Sequence, residues 1–150
     1  MRYLAKRVER ICDELYRLRI VQRIPLTDLI CKKGTYIRPE AADAATPPWT
    51  SFDSRTMHWY GPDEHYWFRT EFTVPKALNG KAMWLNVRTQ IEGDDGKNPQ
   101  FLLFVNNVPV QGMDMNHRDV LLSPKAISGE KLVFDLQAYT GTIHNEFNLF

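Results

Sequence analysis

At 150 residues with 43% hydrophobic composition, the chain is sized for one domain that buries its own core without disulfide or metal staples. Lysine and arginine number 19 against 18 aspartate and glutamate, a formal net charge of +1, so no excess of charge points to nucleic acid or an anionic membrane as partner. Cys12 and Cys31 are the only cysteines, with neither a secretory signal nor a bilayer-length apolar run, which predicts two free thiols in a reduced, cytoplasmic setting.

Leu4, Val8, Ile11, Leu15 and Leu18 recur at intervals of three and four, predicting an amphipathic helix over residues 2–18. Its other face mixes Arg2, Lys6, Arg7, Arg10 and Arg17 with Glu9, Asp13 and Glu14. Those acids argue against a targeting helix and for a structural one with a solvated face. Residues 20–37 fit neither helix nor strand for long. Residues 38–48, rich in Ala and Pro, read as an extended surface connector leading to Trp49, so that residues 1–48 pack as helix and connector on a sandwich formed by residues 49–150.

Strands follow. Tyr66, Phe68, Thr70 and Phe72 alternate with Trp67, Arg69, Glu71 and Thr73 until Pro75. Met83, Leu85 and Val87 alternate with Trp84, Asn86 and Arg88. The run beginning at Phe101 turns at Asn106-Asn107, residues that tolerate the positive φ of a tight hairpin, and returns through Val108 to Val110. Leu132, Phe134 and Leu136 mark a last strand. A single helix followed by short strands predicts a mainly β fold: an antiparallel β-sandwich of jelly-roll (galactose-binding-like) type. An open sheet crossed by the helix is the alternative.

Few residues point to chemistry. His58, His65, His117 and His144 are scattered and there is no paired cysteine motif, so no metal site is expected. Glu92, Asp94, Asp95 and Asp114 have the oxygens for calcium, but acids beside glycine are usually turn formers. The same carboxylates lack the contrasted environments of a glycosidase pair, so no catalytic residue is assigned. Trp67 and Trp84, at strand centres, are expected in the core. Trp59 and Tyr60, beside a turn, are candidates for stacking on a sugar. The densest polar cluster, Asp114, Asn116, His117 and Arg118, is expected to brace a loop and to face another domain.

With those residues in place, the chain resembles the N-terminal domain of family 38 glycoside hydrolases, the α-mannosidases of the cytosolic and vacuolar branch. The resemblance rests on Trp59-Tyr60-Gly61-Pro62-Asp63-Glu64-His65-Tyr66-Trp67-Phe68-Arg69, Phe72-Thr73-Val74-Pro75, Glu92-Gly93 with Asn98-Pro99-Gln100, Gln111-Gly112-Met113-Asp114-Met115-Asn116-His117-Arg118-Asp119-Val120 and Ala138-Tyr139-Thr140-Gly141. It implies a β-sandwich ahead of a catalytic barrel that holds zinc through a paired-histidine motif and cleaves α-mannosides with retention. That motif does not occur here, so the resemblance implies a domain of a longer enzyme. Its partners would be the catalytic domain of the same polypeptide and, through it, mannose-containing glycans, and a homo-oligomer is compatible with it. A free-standing carbohydrate-binding module is the competing function.

Overall fold

The computed structural model describes residues 2–89, 99–141, 146–147 and 149. The fold is mainly β and antiparallel, with an N-terminal helix, α1 (Arg2–Leu18). The strands are β1 (Asp28–Lys33), β2 (Thr50–Asp53), β3 (Trp59–Tyr60), β4 (His65–Thr73), β5 (Met83–Asn86), β6 (Gln100–Val105), β7 (Val108–Met113), β8 (Asp119–Ser123), β9 (Lys131–Tyr139) and β10 (Glu146–Phe147). A second, short helix, α2 (Pro39–Ala44), lies between β1 and β2.

Six strands form one sheet in the order β2-β1-β4-β9-β6-β7, and β5 with β8 and β3 with β10 form two short antiparallel pairs. The period-two runs set the faces. Phe68, Phe101, Leu103, Leu132, Phe134 and Leu136 from the large sheet pack with Trp59 of β3, Met83 of β5 and Val120 of β8, forming the main core between the large sheet and the strand pairs. This layering is compatible with a sandwich. The β6–β7 hairpin turns where the asparagines predict: Asn106 and Asn107 have φ of 50° and 67°, and Val105 pairs with Val108.

The first 48 residues differ from expectation. Residues 20–37 contain β1, which pairs with β2 on one side and β4 on the other. A boundary at residue 48 would therefore separate two hydrogen-bonded neighbours. The pattern hid this strand because Lys32 breaks the apolar run, yet Lys32 is buried. Its ammonium donates to the carbonyls of Ala42 and Ala45 and lies over the rings of Tyr36 (5.4 Å) and Trp49 (5.9 Å), so burial leaves it hydrogen-bonded.

Nor is the segment 38–48 an extended surface connector. Pro39 opens α2, as its fixed φ suits the first helical turn. Ala42, fully buried, sits in a second apolar cluster with Trp67 and Phe104 on the sheet's other face, where a small side chain permits close approach. Gln137 Nε2 donates to the Tyr36 carbonyl at 2.8 Å and fastens the start of this cover. By contrast α1 does not pack on the sheet: every described side chain from Tyr3 to its end is exposed.

Two tryptophan expectations also change. Trp84 is 59% exposed, because the alternation that turns Met83 and Val87 inward turns Trp84 outward from a two-stranded pair, where no described residue covers it. Trp59 is 2% exposed, edge-to-face against Tyr66, Phe68 and Phe101, so it is a core residue and has no face to offer a sugar.

Candidate functional site at one end of the sheet

Strand register determines which polar residues meet. Lys33 pairs with Tyr66, His65 and Gln100 both pair with Tyr139, and Phe101 pairs with Met113. The end of β1, the start of β4, the end of β9, the start of β6 and the end of β7 therefore share one end of the sheet. Three of the segments named above, the turn before β4, the Ala138-Tyr139-Thr140-Gly141 stretch and the loop after β7, converge there from positions far apart in sequence.

The turn and the end of β9 are tied together. Gly61 (φ 130°) and Asp63 (φ 57°) reverse the chain. The Asp63 amide donates to the Gly141 carbonyl at 2.6 Å, and the Glu64 amide donates to Thr140 Oγ1 at 2.9 Å. Tyr139 donates its phenol to Asp63 Oδ1 at 2.8 Å while its ring stacks on His65 at 4.9 Å. That hydrogen bond to a carboxylate raises the Tyr139 pKa. Lys33 Nζ lies 2.7 Å from Glu64 Oε1, a contact that raises the lysine's pKa despite some desolvation. Tyr66 donates to the Tyr60 carbonyl at 2.8 Å, and burial raises its pKa against the pull of Lys33.

The loop after β7 is braced by one carboxylate. Asp114 Oδ1 accepts the amides of Asn116 and His117, each at 2.7 Å, and His117 Nδ1 lies 3.0 Å away. These bonds, first the His117 amide and then its ring, lower the Asp114 pKa. Beneath the loop Met115 is buried and accepts Thr89 Oγ1 at 3.1 Å, while the Arg118 carbonyl accepts the Val87 amide at 3.0 Å. Asn116 and His117 are left exposed on a fixed loop, with Arg118 half-buried beside them. The structure thus brings Asp114, Asn116 and His117 into one hydrogen-bonded turn. Tyr60 is 51% exposed, so of the proposed stacking pair it alone retains an accessible ring.

Sequence reading missed Lys33, Asp63, Glu64, His65 and Tyr139, whose grouping depends on pairings as distant as His65 with Tyr139. It also missed the charged network on the sheet's other face. Arg69 bonds to Asp135 at 2.6 Å and to Asp43 at 2.7 Å and lies over the Trp49 ring at 4.8 Å, and Trp49 Nε1 donates to Asp43 at 2.9 Å. The available signal was charge at strand-interior positions, Lys32, Arg69 and Asp135.

Glu92, Gly93, Asp94, Asp95, Asn98 and His144 lie outside the described residues. Among the described residues no three His, Cys, Asp or Glu side chains form a metal-holding group, and Asp114 is occupied by its own loop. Cys12 and Cys31 are free thiols. No described helix is long and apolar enough to cross a membrane. Chemically, this end of the sheet offers fixed hydrogen-bond donors and acceptors suited to holding a polar surface. Comparison with protein families, curated proteins and solved structures finds no match for this chain.

Proposed function

We propose that this chain is the non-catalytic N-terminal β-domain of a retaining α-mannosidase of glycoside hydrolase family 38, and that the end of the sheet carrying Asp63, Glu64, Asp114, Asn116, His117 and Arg118 packs on the catalytic domain. Under this reading hydrolysis of terminal α-mannosides, and the zinc it uses, belong to that other domain, and the enzyme works in the cytoplasm. One observation carries the proposal: three of the five segments that resemble the family, separated in sequence, gather at one end of the sheet and present polar groups there. An exposed Asn116 and His117 on a loop pinned by Met115 suit a preformed polar interface, which loses little entropy on docking.

The test uses His117→Ala with Arg118→Ala in the polypeptide that carries a downstream paired-histidine motif, and in residues 1–150 alone. The expected result is a lower melting temperature or a shifted KM in the long form, with the short form unchanged. Equal melting and kinetics in both forms would reduce the cluster to a loop brace. A reading frame without the paired-histidine motif would remove the mannosidase assignment. Specific glycan binding by residues 1–150, lost on Tyr60→Ala, would favour the carbohydrate-binding module, a reading supported by the exposed Tyr60 ring.

A further inference from the structure

The apolar stripe of α1 meets nothing in the described chain. Leu4, Val8, Ile11, Leu15 and Leu18 are between 51% and 73% exposed. Helices in proteins draw most of their stability from packing of the amphipathic face, so the 17-residue α1 calls for cover on that side. The spacing indicates what kind. The stripe steps by four, three, four and three residues, a repeat of about 3.5, which is the seam of a left-handed supercoil.

Val8 and Leu15 take the a positions of a heptad, and Leu4, Ile11 and Leu18 take d. Lys6, Glu9, Arg10, Asp13, Tyr16 and Arg17 fall on the far side. Flanking the seam are Arg7 and Glu14 at g, with Ala5 and Cys12 at e and Arg19, the first residue past the helix, where the next e position would fall. A second helix laid parallel and in register covers all five seam residues. It also places Glu14 of each copy by Arg19 of the other, while Arg7 meets the neutral Cys12, so no like charges oppose. An antiparallel partner, pairing a with d, leaves one seam residue uncovered. Glu14 and Arg19 are accessible for this exchange: Glu14 is 63% exposed beside Arg10, and Arg19 rests over the Tyr16 ring at 4.7 Å.

We infer that α1 is a parallel, two-stranded coiled coil joining two copies of this chain. Residues 19–27 separate the helix from β1, so the seam is tethered to the β-domain without being built into it. With five seam positions the coil is short, and the dimer it makes is concentration-dependent. The competing seat is the open apolar groove of about 240 Å³ lined by Val105, Val110, Leu121 and Ile127, onto which α1 of the same chain would have to fold back.

Sedimentation of the full 150-residue chain over rising concentration tests this. The mass should climb from monomer toward twice that value. Val8→Asp with Ile11→Asp should stay monomeric throughout, with unchanged melting of the β-domain. In a Cys12→Ser background, Ile11→Cys should oxidise to a covalent dimer, since d positions face each other in a parallel pair. A wild-type chain that is monomeric at every concentration overturns the inference, as does a Val8→Asp/Ile11→Asp variant that still dimerises. A monomeric double variant with lowered melting would place α1 against its own domain, and cross-linking only between mixed Leu4→Cys and Leu15→Cys chains would reverse the helix direction; either result also rejects the proposal.

Discussion

Arg69 and Asp135 face each other across β4 and β9, joined at 2.6 Å, and Asp135 has no exposed surface. Among the described residues its Oδ2 accepts no hydrogen bond, so there a buried carboxylate depends on one guanidinium. Burial raises the Asp135 pKa above 3.8, and Arg69 only partly opposes this. Desolvation also works against the charge of Arg69, but Asp43 and Asp135 prevail and raise its pKa.

Arg69→Ala should therefore cost about 3–5 kcal/mol at neutral pH, because it strands Asp135 without a partner. The sign with pH follows from the raised pKa. Between 3.8 and the native value, the folded state holds a proton that the unfolded chain has released, so stability rises as pH falls through that window. Arg69→Ala raises the native pKa further and should regain part of its lost stability on acidification. Adding Asp135→Asn to that variant should abolish the regain. Urea denaturation across pH checks both, and a loss below about 1 kcal/mol for Arg69→Ala would contradict the dependence on pairing.

Asp114 should behave in the opposite sense. Its native pKa is lowered, so its contribution is present above 3.8 and is lost as pH falls through the lower native value. Asp114→Ala removes the acceptor of two amides and should cost about 1 kcal/mol, in the range of a lost helix cap. His117→Ala, which leaves both amide bonds in place, should fall within about 0.5 kcal/mol of the parent. Equal effects from the two variants would mean that the ring, not the carboxylate, holds the loop.

The tryptophans separate burial from strand position. Trp67 is fully buried against Phe104, with ring centroids 5.5 Å apart, so Trp67→Ala should cost about 3–5 kcal/mol. Trp84→Thr should stay within about 0.5 kcal/mol, because a mostly exposed side chain leaves no cavity. Acrylamide quenching that falls with Trp84→Thr and is kept with Trp67→Phe would confirm that the Trp84 ring reaches solvent, with half-buried Trp49 supplying the remainder; the reverse pattern would contradict the placement.

Features governed by residues near one another in sequence were legible before the structure. Asn106 and Asn107 tolerate positive φ and so turn the hairpin. The three-and-four spacing forms α1, and period two assigns Met83, Leu85 and Val87 one face and Leu132, Phe134 and Leu136 the core. Tertiary structure alone decided the rest. Lys32 becomes an interior strand residue only because two carbonyls beyond β1 receive its ammonium, and Trp59 is core only because β3 lies over Phe68 and Phe101. Asp63 meets Tyr139 across 76 positions. The sequence of the polar turn at Asp114 foretold a brace, but its neighbours at the sheet's end follow from the registers of β1, β4, β9, β6 and β7. Periodicity and backbone preference act over a few residues, whereas the burial of a charge or an aromatic ring depends on which distant strand arrives to solvate or cover it.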